Sequence, residues 1–119
     1  ADIKAACYPD GKSVYVVSSS PTDSAWWYDK RVSYIDTTTF VDYRTEYFKG
    51  GDKVKVIDRD WVSAGLADAR ANYWGYWYGT TLATGHETMA FIPASVTKVN
   101  HTYAKKNLWS TSTLRKMPK

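Results

Sequence analysis

Asn72-Tyr73-Trp74-Gly75-Tyr76-Trp77-Tyr78-Gly79-Thr80-Thr81 holds five of the nineteen aromatic residues of a 119-residue chain, and its local structure decides the fold class. A helix would carry Gly75 and Gly79 in its interior, each costing about 1 kcal/mol against alanine, with bulky rings crowding every turn. A strand suits the same residues. At a period of two, Tyr73, Gly75, Trp77 and Gly79 fall on one face and Trp74, Tyr76, Tyr78 and Thr80 on the other. Both faces are therefore aromatic. One can pack on a core; the other is either covered too, as in a central strand, or left to meet a partner.

Working back towards the N-terminus, Gly50-Gly51 separates two β-like runs, a strong hairpin signal that also fixes a register. With Lys49 facing Asp52, counting outward pairs Phe48 with Lys53, Tyr47 with Val54, Glu46 with Lys55, Thr45 with Val56, Arg44 with Ile57, Tyr43 with Asp58 and Asp42 with Arg59. That register collects Val41, Tyr43, Thr45, Tyr47, Val54 and Val56 on one face. On the other it sets Glu46 against Lys55 and Asp42 against Arg59, opposite charges whose pairings a one-residue slip would lose.

Between hairpin and aromatic strand, Asp60 to Ala71 reads as the helix of the chain, with Asp60 as cap and Val62, Leu66 and Ala69 at i, i+4 and i+7. Ser13 to Ser19 reads as a strand after the Pro9-Asp10-Gly11 turn, and Trp26-Trp27-Tyr28 as a short strand or strand start. Arg31 to Lys49 is too long for one strand, so a break falls near Asp36 to Thr39. Beyond the aromatic strand, a turn at Thr84 to Glu87 leads into a strand at Met89 to Ile92 that Pro93 stops. Further strands are expected at Val96 to Tyr103 and Leu108 to Leu114, joined by a turn at Lys105-Lys106-Asn107, before a fraying tail from Arg115 to Lys119. Frequent turns and seven or eight short strands predict a mainly β fold, a small antiparallel β-sandwich or barrel with one short helix, in a single domain over residues 1–119. No fixed-period repeat or long linker divides the chain.

Ten Tyr and six Trp against three Phe favour rings with a polar handle, the kind used where one side is apolar and the other wet. Charge is uneven. The net +4 comes from the end of the chain: no acidic residue follows Glu87, and the last 22 residues carry six basic ones. Such a segment attracts anionic polymers or surfaces, although a solvated basic end is the plainer explanation. No apolar run approaches the roughly 18 residues needed to cross a bilayer. A start at Ala1-Asp2 without Met or leader fits a mature exported protein, which predicts a secreted, extracellular or periplasmic location; removal of an initiator Met would leave the same end. Cys7 is alone, so it is either an inert buried thiol or a link to another chain.

Catalytic patterns are missing. His86-Glu87 lacks the second His of a helical zinc site, Cys7 sits in no nucleophile signature, and no Gly-x-Ser-x-Gly elbow occurs. Hydrolysis by His86, Glu87 and His101 is the one enzymatic version worth testing, and no metal or cofactor is expected. Asn100-His101-Thr102 is a glycosylation sequon only in a eukaryotic secretory route. Nucleic acid is not an expected partner, because no Lys or Arg lies between Asn72 and Ala94 among the stackable rings. The function that fits best is an exported binding protein that recognises a glycan or an anionic cell-envelope polymer. Its candidate ligand-binding residues are Trp74, Tyr76, Trp77 and Tyr78 with Trp26 and Trp27, and its candidate anionic-surface contacts are Lys105, Lys106, Arg115 and Lys116. Trp77, flanked by Gly75 and Gly79, offers an open ring to a flat ligand. The alternatives are a self-assembling extracellular subunit, joined through sheet edges or Cys7, and a cationic antimicrobial protein acting on anionic membranes.

Overall fold

The computed structural model describes residues 11–99 and 109–118. Six strands follow one another in space as they do in sequence: β1 (Val14–Ser19), β2 (Lys30–Asp36), β3 (Asp42–Lys49), β4 (Asp52–Ser63), β5 (Asn72–Thr81) and β6 (His86–Phe91). Every ladder is antiparallel. The fold is mainly β, as expected, with one short helix, α1 (Thr111–Lys116). Its strands lie in one open sheet, where their number and spacing had allowed a sandwich or a barrel.

Several local expectations are corrected. Asp60 to Ala71 is not a helix: β4 runs on through Ser63, and residues 64–71 form a bent connection. The helical spacing of Val62, Leu66 and Ala69 is overridden by tertiary pairing, since Trp61 and Val62 join β5 opposite Trp74 and Tyr73. The short helix lies instead where a last strand was expected, started by Ser110, whose hydroxyl accepts from the Thr113 N–H at 3.1 Å. Arg115 and Lys116, expected to fray, form its last turn. Trp26 to Tyr28 is not a strand, because Asp23 caps a turn there through the Ala25 N–H at 2.8 Å and the Trp26 N–H at 3.2 Å. Residues 94–96 form a 3₁₀ turn and residues 97–99 no strand. Cys7, the turn residues Pro9 and Asp10, residues 100–103 with His101 and the sequon, and Lys105, Lys106 and Asn107 lie outside the described residues.

The hairpin turn is where the sequence puts it. Gly50 and Gly51 both take positive φ, +59° and +86°, and Lys49 faces Asp52 with Phe48 facing Lys53. Beyond that the register slips by one, because a bulge leaves Val54 unpaired and sets Tyr47 opposite Lys55, Thr45 opposite Ile57 and Arg44 opposite Asp58. The predicted Glu46–Lys55 pair is lost. Two further bulges leave Tyr43 unpaired against β2 and Gly75 unpaired against β4.

With these bulges the sheet has two distinct faces. On one, Glu46 and Asp58 are buried beside Val56 and Tyr78. Arg44 reaches both carboxylates, with Nε 2.9 Å from Glu46 Oε1 and Nη1 3.2 Å from Asp58 Oδ1, and Lys53 Nζ lies 3.0 Å from Glu46 Oε1. Burial alone would raise the Glu46 carboxyl, but hydrogen bonds from Lys53 and Arg44, with their charges, outweigh it and hold it below the usual range. This is the ion-pair face. The other carries Ile57, Thr45, Tyr47, Arg59, Trp61 and Trp77, and is the cleft face.

The β2–β3 connection is built on Asp36. Its Oδ1 accepts from the Thr38 and Thr39 N–H groups, each at 2.8 Å, and its Oδ2 from the Tyr43 hydroxyl at 2.7 Å. These bonds, the Thr39 N–H first and then the Tyr43 hydroxyl, pull the carboxyl down to about 2. Tyr43 is pushed up to about 12, by burial first and then by its bond to Asp36.

Asp36 ionises more readily folded than unfolded, so its contribution is complete above about pH 4 and lost as the pH falls towards 2. For Tyr43 the neutral form is favoured in the fold, so its contribution holds below about pH 10 and fades as the pH rises towards 12. Urea unfolding should therefore show stability falling on the acid side, and Asp36→Asn should flatten part of that slope. Replacing Arg44 with Met removes the cation shared by two buried carboxylates. A loss of about 3 kcal/mol is expected, partly recovered when Asp58→Asn is added.

Candidate binding cleft on one face of the sheet

A cleft of about 440 Å³ opens on the cleft face. Its floor is made by Ser33 and Ile35 of β2, Thr45 and Tyr47 of β3, and Arg59 and Trp61 of β4. Thr39, Phe40 and Val41 of the β2–β3 connection close one side, Arg70 comes from the connection into β5, and Asn72 is the first residue of β5. Alternation along three neighbouring strands brings the floor side chains to one face, so the floor is held by the sheet.

Trp61 is fixed by its indole N–H, which donates to the Asp42 carbonyl at 2.8 Å. Arg59 Nη1 lies 3.0 Å from Asp42 Oδ2 and also donates to Thr45 Oγ1 at 3.0 Å. The expected Asp42–Arg59 ion pair is thus present, but it spans the cleft floor and does not follow the expected register. Arg70 is matched by Asp68, Nη2 to Oδ2 at 2.8 Å, in an exposed pair worth little to stability. Arg31 is different. Its Nε donates to Ser19 Oγ at 3.3 Å, and among the described residues no ion pair joins it to a carboxylate. Among the described residues, a guanidinium thus borders the cleft without an ion pair to a carboxylate.

Phe40 stands at the rim with φ +62°, the one positive φ outside glycine among the described residues. Such a backbone costs a bulky residue about 1 kcal/mol or more. The Asp36 turn holds it there: the Phe40 N–H donates to the Asp36 carbonyl at 3.1 Å, and the Asp36 N–H to the Val41 carbonyl at 2.8 Å. The ring gains little burial in return, remaining 59% exposed.

Tyr47 links the cleft to a second aromatic group. The Trp27 ring centroid lies 4.8 Å from that of Tyr47 and 4.7 Å from that of Tyr28, and Tyr28 is 5.0 Å from Tyr47. This loop is tied to the hairpin by the Gly50 N–H donating to Asp29 Oδ2 at 2.7 Å and by Lys49 Nζ donating to the Trp26 carbonyl at 2.9 Å. Trp26 and Trp27 are each about half exposed.

The predicted ligand-binding residues are divided between the two faces. Trp74, opposite Trp61, and Trp77, opposite Arg59, belong to the cleft face, while Tyr76 and Tyr78, opposite Asp60 and Asp58, belong to the ion-pair face. Tyr78 is buried, and Tyr76 stacks on Phe91 at 4.8 Å. The space imagined beside Trp77 is occupied by Trp77 itself, since a Cβ at Gly79 would lie 3.0 Å from the indole Cη2. Gly75 instead faces Val62, whose Cγ2 would be 2.9 Å from an added Cβ. Arg115 and Lys116 are exposed on α1, outside the cleft, and Lys105 and Lys106 lie outside the described residues. Phe40, Tyr47, Arg31, Arg59 and Trp61 escaped sequence reasoning. Each sits in an ordinary strand or turn context that only the bulged register assembles into a site.

No family model matches the chain, and no curated protein matches it. A solved structure does. The fold is similar to that of a Vibrio parahaemolyticus crystal structure described as "putative outer membrane lipoprotein-sorting protein domain", with a TM-score of 0.61 and 18% identity. The similarity covers 89% of this chain, which spans 43% of the length of that one. At this identity the likeness concerns the fold. Among the described residues no helix is long and apolar enough to cross a membrane, and no three His, Cys, Asp or Glu are grouped to hold a metal ion.

Replacing Phe40 with Gly should leave stability unchanged or raise it by up to about 1 kcal/mol, because the strained φ suits glycine and little burial is lost. Phe40→Val should destabilise. Thermal melts of the two variants read both outcomes, and a large loss in the glycine variant would mean that the ring is structural.

Proposed function

We propose that this chain is a non-catalytic binding protein of the cell envelope, which holds an anionic glycan or another anionic envelope polymer on the cleft face of its sheet. The observation that carries the reading is the Arg31 guanidinium, without a carboxylate partner among the described residues, beside a cleft walled by Tyr47, Trp61 and Phe40. Flat rings supply contact area to a sugar at low entropic cost, and a planar guanidinium meets a carboxylate or phosphate with two parallel hydrogen bonds. Asn72 and Ser33 add polar groups along the same cleft. Trp27, stacked on Tyr47, and Trp74, beside Trp61, extend the aromatic track in both directions. The envelope location, secreted or periplasmic, draws support from the fold likeness to the Vibrio domain.

A second reading follows from that likeness: the cleft face handles an acylated protein, in keeping with the description of the Vibrio domain. The mixed lining, with polar groups among the rings, favours the anionic polymer. Tryptophan fluorescence and calorimetric titration against polygalacturonate, neutral dextran and a diacylated peptide separate the readings. Polygalacturonate should bind most tightly, and Arg31→Ala should weaken it about tenfold at unchanged melting temperature. Equal affinity for dextran, or a preference for the acylated peptide, would overturn the anionic-polymer reading.

A further inference from the structure

The last described segment, Trp109 to Pro118, carries a surface for which the cleft has no use. Ser110 caps α1, and Arg115 and Lys116 form its last turn, where cations suit the helix dipole. None of its six residues is buried. Trp109 is 79% exposed, Leu114 67% and Met117 46%. These three apolar side chains line one shallow hollow of about 400 Å³ with Ser110 and Thr111. They therefore form a continuous patch rather than isolated exposures.

Arg115 and Lys116 fall between Leu114 and Met117 in the same helical turn, and no acidic residue follows Glu87 in the sequence. A matching partner must be apolar and anionic at once. A soluble polyanion would satisfy Arg115 and Lys116 but leave Trp109, Leu114 and Met117 in water. The interface of an anionic bilayer satisfies both: an indole lies at headgroup depth, Leu and Met reach the acyl boundary, and Arg and Lys extend to lipid phosphates.

We propose that Trp109–Pro118 is a membrane-surface docking element for anionic lipid, peripheral and reversible, separate from the cleft. One short helix with two adjacent cations gives weak binding, which would hold the sheet near the bilayer without inserting it. The proposal rests on this segment alone and stands whether or not the cleft binds a polymer.

The test is co-sedimentation of the full chain with vesicles of phosphatidylcholine, alone or mixed with phosphatidylglycerol. Binding is expected only to the mixed vesicles and should weaken with added salt. Arg115→Ala and Lys116→Ala should each reduce partitioning about 5-fold. Trp109→Ser with Leu114→Ser should abolish it while polygalacturonate titration is unchanged. Brominated phosphatidylglycerol should quench the chain's fluorescence, and Trp109→Phe should remove that quenching. Equal binding to pure phosphatidylcholine would overturn the proposal. So would full binding by the double serine variant, which would leave the charges alone as the attachment.

Discussion

Two carboxylates, Glu46 and Asp58, are buried on one face of a single sheet, and Arg44 lies between them with a hydrogen bond to each. Removing ionised groups from water is costly unless the geometry of their partners is good, and the register that brings Arg44 opposite Asp58 supplies a partner to both carboxylates. The bulge at Val54 makes that register possible. It shifts Thr45, Tyr47, Ile57 and Arg59 together onto the opposite face, where the cleft forms. A charge cluster on one side thereby specifies the site on the other.

The cleft combines rigid and strained parts. On its floor Arg59 is bonded to Asp42 and Thr45, and Trp61 to a backbone carbonyl, so these strand side chains are fixed in place. Its rim holds Phe40 in a conformation that a bulky side chain disfavours, kept by the compact hydrogen bonding of Asp36. The strain is local, and the residue carrying it is exposed at the cleft. Strained positions of this kind concentrate where a side chain must be presented rather than packed.

Composition and turn chemistry were enough to read the mainly β class and several strand limits, though not the single open sheet. The Gly50-Gly51 hairpin, the break after Asp36, the strand from Asn72 to Thr81 and the stop at Pro93 all follow from residues whose backbone preferences are local. The bulges at Tyr43 and Val54 were not legible, because no Gly or Pro marks them, and Gly75 is equally compatible with close packing. Each depends on what the neighbouring strand offers, and a single extra residue reverses the face of everything beyond it. That is why the aromatic strand was found but its rings were assigned to a site that Trp77 fills with its own indole. Apolar spacing in Asp60 to Ala71 suggested a helix, whereas the strand pairing of Trp61 and Val62 prevailed.

Each ladder in this sheet joins strands that are also consecutive along the chain. Assembly therefore needs no distant segment to arrive before pairing begins, which is the topology that favours rapid folding for a β protein. The β3–β4 hairpin has the tightest turn and the buried charges, making it the natural seed, with neighbours added outward on either side. Read in reverse, β1 and β6 are the described strands from which amide exchange would begin, and the floor of the cleft would be the last part of the molecule to open.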